Sequence, residues 1–210
     1  MNASEQLRAA LRELPLVAIL RGLTPGEAPA IGQALVQAGF VLIEVPLNSP
    51  EPLQSMTCLA RQHPQLLIGA GTVLTPGQVR EVHAAGGRLI VSPNFDAAVV
   101  HEALDLGMAC VPGVATPSEA FAALQAGAHA LKLFPADMVT PTVLKSLRAV
   151  LPPDAPLLPV GGIGVHNMAA YRAAGASGFG IGSALYAPAK AAQDVASSAR
   201  QFFDAWRSTP

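Results

Sequence analysis

The stretch from Thr116 to Phe134 contains the signals that decide the fold, in the order TPSEAFAALQAGAHALKLF. Thr116 and Glu119 form a capping-box pattern at the start of a helix, with a proline at the first helical position. Gly127 stands where a left-handed glycine ends a helix. The short apolar run from Leu131 to Phe134 is typical of a strand that is buried on both faces. The stretch therefore predicts one helix–strand unit of an α/β fold.

The same unit recurs along the whole chain. Apolar runs of strand length begin at Leu16, Phe40, Leu66, Leu89, Met108, Leu131, Leu157 and Gly178. Helix starts are predicted at Thr24, Ser49, Thr75, Thr116 and Thr140, and helix-ending glycines at Gly39, Gly86, Gly107, Gly127 and Gly175. Such alternation implies parallel strands joined by right-handed crossovers.

Eight such units in 210 residues predict a single (β/α)8 TIM barrel domain over residues 1–210. Residues 1–13 are expected to form a leading helix over the bottom of the barrel, and the final helix is expected over roughly 187–207. The alternative is an open, doubly wound sheet. That fold is disfavoured because no G-x-G-x-x-G pattern follows the first strand.

Charge is scarce in this chain, which narrows the classes of function. The chain is 51% hydrophobic and 13% charged, with a formal net charge of −1. This composition excludes intrinsic disorder, and it provides no basic field for nucleic acid or an anionic membrane. The early apolar run from Leu14 to Leu20 ends at Arg21, well short of a membrane span. We therefore expect a cytoplasmic protein with no nucleic-acid or membrane partner.

Three charged residues interrupt or end apolar strands. Arg21 ends the first strand, Glu44 lies in the second and Lys132 lies in the sixth. Because side chains alternate along a strand, Glu44 and Lys132 face the barrel interior if their apolar neighbours face the helices. A TIM barrel has its active site at the C-terminal ends of its strands. A structural salt bridge would also explain the pair, although a buried pair adds little net stability.

A buried lysine has a specific chemical use. Apolar surroundings lower its pKa, and the neutral amine can then attack a carbonyl carbon to form a Schiff base. Glu44 could move protons as a general acid and base, directly or through water. This chemistry needs no cofactor and no metal. The histidines, which lie in predicted helices or turns, offer no metal site: His63, His83, His101, His129 and His166.

Glycine-rich loops follow three of the predicted strands. Gly161 and Gly162 follow the seventh strand, and Gly182 and Ser183 follow the eighth. These are the positions at which TIM barrels often bind phosphate, because glycines let backbone amides approach an anion. The segment that ends at Thr72 follows the third strand and could hold a carboxylate beside Arg21.

Several motifs together resemble the class I KDPG/KDPGal aldolases. The matching segments are IEVPLNS (43–49), GAGTVL (69–74), VPG (111–113), LKLFPA (131–136) and PVGGI (159–163). The resemblance implies a trimeric (β/α)8 barrel in which Lys132 forms the Schiff base and Glu44 is the general acid/base. It also implies that Arg21 and Thr72 hold the carboxylate end of the substrate. The phosphate residues that it implies are Gly161, Gly162, Gly182 and Ser183. The substrate class is a phosphorylated keto-deoxy sugar acid, and no metal is required.

Two departures from the gluconate-type pattern resemble the galactonate-type branch. Val160 stands where gluconate-type members have threonine, and Leu47-Asn48-Ser49 replaces Leu-Arg-Thr. The resemblance thus implies cleavage of 2-dehydro-3-deoxy-6-phosphogalactonate to pyruvate and D-glyceraldehyde 3-phosphate, a step of galactonate catabolism. The gluconate-type aldolase is the alternative. Two further alternatives are a non-catalytic phosphosugar-binding barrel and a phosphosugar isomerase or epimerase.

Overall fold

The computed structural model describes residues 2–208, and within them helices and strands alternate. The strands are β1 (Leu16–Ile19), β2 (Leu42–Pro46), β3 (Leu67–Gly71), β4 (Leu89–Val91), β5 (Ala109–Val111), β6 (Gly113–Val114), β7 (Leu131–Leu133), β8 (Leu157–Pro159) and β9 (Phe179–Ile181). The helices are α1 (Ala3–Glu13), α2 (Ala28–Gln37), α3 (Pro52–Gln62), α4 (Pro76–Ala84), α5 (Ala97–Asp105), α6 (Pro117–Gln125), α7 (Pro141–Arg148), α8 (Met168–Ala173) and α9 (Ala192–Ser208).

The strands close into a barrel of parallel neighbours. One sheet has the order β5-β4-β3-β2-β1-β9, and the other has the order β6-β7-β8. The chain passes directly from β5 to β6 across Pro112, and a parallel bridge from Val160 to Gly180 joins β8 to β9. The predicted (β/α)8 fold is confirmed. The predicted fifth strand corresponds to β5, and a further short strand that was not predicted, β6, follows it after Pro112, because proline has no N–H for the ladder.

The barrel has two apolar cores, one outside and one inside the ring of strands. The outer core lies between strands and helices and includes Ile43, Leu131 and Leu133. The inner core lies within the ring, where side chains such as Leu42 and Leu158 meet Leu7 of α1. α1 thus covers the N-terminal end of the barrel, as expected for the leading helix.

Three of the five predicted helix N-caps are confirmed. The hydroxyls of Thr75, Thr116 and Thr140 each accept a hydrogen bond from a first-turn amide. The predicted cap at Thr24 is wrong, because its N–H and hydroxyl instead donate to Glu27 and α2 begins only at Ala28.

The predicted cap at Ser49 is also wrong, because its hydroxyl accepts from the amide of Gly22 at 2.9 Å instead. The final helix begins at Ala192, five residues later than expected, because residues 183–191 form turns. Within residues 2–208, no helix combines the length and the apolar character needed to cross a membrane.

Candidate active site

Glu44 and Lys132 project into the barrel interior from opposite parts of the ring. Their neighbours along the strands, Ile43, Leu131 and Leu133 among them, pack into the outer core. Glu44 is only 1% exposed and Lys132 only 5% exposed. Both side chains line one small interior cavity whose other walls are almost entirely apolar. The alternation argument therefore placed the two side chains correctly, and they converge inside the barrel.

The apolar surroundings change the acid–base properties of Lys132. Burial lowers the pKa of its ammonium group, an effect that the negative charge of Glu44 opposes and the positive charge of Arg21 reinforces. Its Nζ lies 4.8 Å from the centre of the Phe134 ring. Lys132 forms no ion pair within residues 2–208. A lysine in this state has a larger neutral fraction than a surface lysine, as nucleophilic attack on a carbonyl requires.

Glu44 is a buried carboxyl group with an unpartnered oxygen. Its Oε2 has no hydrogen-bond partner among the described residues. Burial raises its pKa, although the charges of Lys132 and Arg21 act in the opposite direction. An unsatisfied polar atom in a core calls for an explanation, and proton transfer to a bound substrate provides one.

Gly71 creates the space that Glu44 occupies. A Cβ atom at position 71 would collide with the Glu44 carboxyl group, and even its farther oxygen, Oε1, would lie only 2.7 Å away. Only a glycine at position 71 therefore leaves room for the Glu44 carboxyl group. The sequence indicates Gly71 only as part of a glycine-rich loop. Its contact with Glu44 depends on how β2 and β3 align, and no local pattern specifies that alignment.

A second cavity opens at the C-terminal mouth of the barrel, directly above Lys132. It has a volume of about 140 Å³. Its lining residues come from β1, β7 and the loops after β8 and β9: Ile19, Arg21, Lys132, Phe134, Val160, Gly161, Gly162, Ile163, Gly182 and Ser183. The glycines predicted for the phosphate and the predicted Schiff-base lysine thus share one mouth.

The loop after β8 owes its shape to glycine and to Asn167. Gly161 and Gly162 have φ values of +100° and +67°, in the left-handed region that favours glycine. Asn167 accepts from the amide of Gly164 at 3.0 Å and donates to the carbonyl of Gly162 at 2.9 Å. The loop after β9 makes one turn, in which Gly182 accepts from the amides of Leu185 and Tyr186.

Arg21 is held at the mouth by Asn48. Its Nη1 donates a short hydrogen bond to the Asn48 side-chain oxygen. One residue further on, Gly22 and Ser49 make the parallel contact already described. The segment Leu47-Asn48-Ser49 therefore fixes the loop after β1 in place. Asn48 was not among the predicted site residues, because its partner lies 27 positions away in the chain.

Thr72 and Val160 occupy different positions relative to the mouth. Thr72 follows Gly71 at the end of β3 and has a φ of +58°, a strained value for a β-branched residue. It does not line the mouth cavity. Val160 lines both the mouth cavity and the interior cavity. Its apolar side chain therefore lies between the mouth cavity and the interior cavity.

Metal ligands do not cluster in the described part of the chain. No group of three or more His, Cys, Asp or Glu side chains with metal-binding geometry occurs within residues 2–208.

Comparisons with known proteins show the family of this chain. Residues 7–199 match the family described as "KDPG and KHG aldolase". This chain belongs to the KDPG and KHG aldolase family. A protein of Rhizobium meliloti named "Probable 2-dehydro-3-deoxy-6-phosphogalactonate aldolase" is 50% identical over 184 residues, which cover 87% of each chain.

Two further comparisons, one with a protein sequence and one with a solved structure, extend the match. The "2-dehydro-3-deoxy-6-phosphogalactonate aldolase" of Escherichia coli is 45% identical over 196 residues, or 93% of this chain and 96% of that protein. A solved structure described as "Native KDPGal structure" has a TM-score of 0.91 and 45% identity, and the match covers 93% of this chain and 95% of that chain.

Proposed function

We propose that this protein is a class I aldolase that cleaves 2-dehydro-3-deoxy-6-phosphogalactonate to pyruvate and D-glyceraldehyde 3-phosphate. The observation that supports the proposal most strongly is the burial of Lys132 and Glu44 on one cavity beneath a glycine-lined mouth. The names of the relatives from Rhizobium meliloti and Escherichia coli support the galactonate-type substrate.

The first step joins Lys132 to the substrate. The neutral amine attacks the C2 carbonyl carbon. The carbonyl oxygen takes one proton from the amine and one from Glu44 and leaves as water, so that a protonated imine and a Glu44 carboxylate remain. Burial lowers the pKa of Lys132 and so increases the fraction of amine that can attack. Arg21 lines the same mouth and stands near Lys132, where the C1 carboxylate next to the attacked carbon needs a cation. In this proposal Arg21 holds that carboxylate end. Thr72 is the second residue that the family resemblance implies there, although it does not line the mouth cavity itself.

The second step breaks the bond between C3 and C4. The C4 hydroxyl loses its proton to Glu44, the C3–C4 electron pair moves into the imine, and the aldehyde product is released. Glu44 then returns a proton to C3, and water releases pyruvate and restores the lysine. Burial raises the pKa of Glu44 and so makes its protonated form more accessible than that of a surface carboxyl group, which suits a two-way proton transfer.

The phosphate and the C4 hydroxyl determine which sugar acid fits. The mouth is lined by Gly161, Gly162, Gly182 and Ser183, and in this proposal their backbone amides bind the phosphate. Val160 offers no hydrogen bond to a C4 hydroxyl, whereas a threonine there would. A site that meets a hydroxyl with a hydrogen bond can discriminate strongly against its epimer.

The test compares kcat/KM for the galactonate-type and gluconate-type substrates in the wild-type protein and in Val160→Thr. We expect preference for the galactonate-type substrate, and a shift toward the gluconate-type substrate in the variant. Preference of the wild type for the gluconate-type substrate would reject the substrate assignment and leave the Schiff-base chemistry intact. A cytoplasmic location and a homotrimeric assembly stay predictions.

A further inference from the structure

A second polar groove lies at the opposite end of the barrel from the mouth. It is bounded by α1 and by the loops that precede β7, β8 and β9, and it has a volume of about 770 Å³. We call it the lower groove, and its polar lining consists of Arg8, Arg12, His129, Asp154 and Ser177. None of these residues lines the interior cavity or the mouth.

The two arginines of α1 present positive charge that is not neutralised locally. Arg8 donates one hydrogen bond to the hydroxyl of Ser4 at 3.2 Å. Neither Arg8 nor Arg12 forms an ion pair within residues 2–208. The whole chain has only 13 lysines and arginines, so two guanidinium groups without an ion pair on one groove are a concentration of charge.

His129 adds a fixed hydrogen-bond donor to this groove. Its Nδ1 accepts from the amide of Cys110 at 3.1 Å, and its own amide donates to the Cys110 carbonyl at 3.0 Å. Because Nδ1 is the acceptor, the ring hydrogen is on Nε2. Burial and the nearby charge of Arg8 lower the pKa of His129, which favours the neutral ring.

The wall that contains the acidic residue Asp154 is held rigid by Arg148. The guanidinium group of Arg148 donates to the carbonyls of Pro152, Pro153 and Ala155 at 3.0, 3.2 and 2.7 Å. Asp154 lies between these residues in sequence, and its charge acts on Arg148. The only acid of the lower groove thus has a cation beside it.

We propose that the lower groove binds the phosphate group of a small metabolite, at a site separate from the active site. Arg8, Arg12, the Nε2–H of His129 and the hydroxyl of Ser177 come from three different parts of the chain. All four line the lower groove, and arginine is a preferred residue for binding the oxygens of a phosphate. Two arginines provide charge-assisted hydrogen bonds, which are about twice as strong as neutral ones.

The test uses histidine NMR signals of the full-length protein during a titration with inorganic phosphate at about pH 8, where phosphate is largely a dianion and histidine is neutral. The His129 ring reports on the lower groove. The His166 ring, which stands against Gly164 in the loop after β8, reports on the mouth. We expect the His129 signal to move and saturate, and its apparent Kd to rise about tenfold or more in Arg8→Gln/Arg12→Gln.

A matched variant, Arg61→Gln/Arg200→Gln, removes the same charge elsewhere and should leave the apparent Kd at His129 unchanged. Unchanged signals from His63, His83 and His101 show that each variant keeps its fold. The proposal is overturned if sodium chloride at equal ionic strength moves the His129 signal as phosphate does. It is also overturned if the Arg8/Arg12 variant binds as tightly as the wild type. Because His166 is read in the same spectra, failure at the mouth is distinguishable from failure at the lower groove.

Discussion

Substitution of Gly71 by alanine should disable proton transfer while leaving the Schiff base intact. The new methyl group would meet the whole Glu44 carboxyl group, since Oε1, the farthest of its three atoms, would be 2.7 Å away and real Cβ contacts essentially never fall below 3.0 Å. Glu44 is 1% exposed, so its carboxyl group cannot move aside without displacing other core atoms. The overpacking should cost about 1–3 kcal/mol of unfolding free energy.

The catalytic effect should be larger than the effect on stability. Loss of a positioned general acid/base slows a reaction about 10²- to 10⁴-fold, or about 3–5 kcal/mol in activation free energy. The assay measures kcat from pyruvate release, together with borohydride trapping of the pyruvate imine, which should persist. Gly26→Ala is the control, because a Cβ at Gly26 meets nothing within 4 Å. A folded Gly71→Ala protein with wild-type kcat would refute the role assigned to Glu44.

Two further predictions concern pH and the loop after β1. Burial lowers the pKa of Lys132 from 10.5, so kcat/KM should rise with pH through a midpoint below that value; a midpoint at or above 10.5 in a pH–rate profile would contradict this. Ser49→Ala should leave the Gly22 amide without its partner and lower the free energy of unfolding by about 1–3 kcal/mol in urea titrations. A loss no larger than that of the exposed-site variant Ser146→Ala would mean that the contact contributes little.

Local patterns were sufficient to predict the barrel and the direction of its two central side chains. Lys132 stands between Leu131 and Leu133, and strand alternation alone turns it inward once its neighbours pack against helices. The helix-ending glycines were predicted for a similar reason. Gly39 and Gly127 adopt φ values of +89° and +96°, a preference that depends only on the glycine itself.

The features that were missed depend on partners distant in sequence. Ser49 precedes a proline and looks like a helix cap, but its hydroxyl accepts a hydrogen bond from the amide of Gly22, 27 positions earlier in the chain. Asn48 binds Arg21 across the same separation. The steric need for Gly71 follows from its position beside Glu44 on the neighbouring strand. Tertiary contacts of this kind override local signals, and no pattern within either segment specifies them.

The central claim is that Lys132 forms a Schiff base with the substrate carbonyl, and one measurement tests it directly. The protein is incubated with pyruvate and sodium borohydride, digested, and mapped by mass spectrometry. We predict a single reduced pyruvate adduct on Lys132 that requires both reagents and is lost in Lys132→Met. An adduct on another residue, or an active enzyme that never acquires one, would contradict the account.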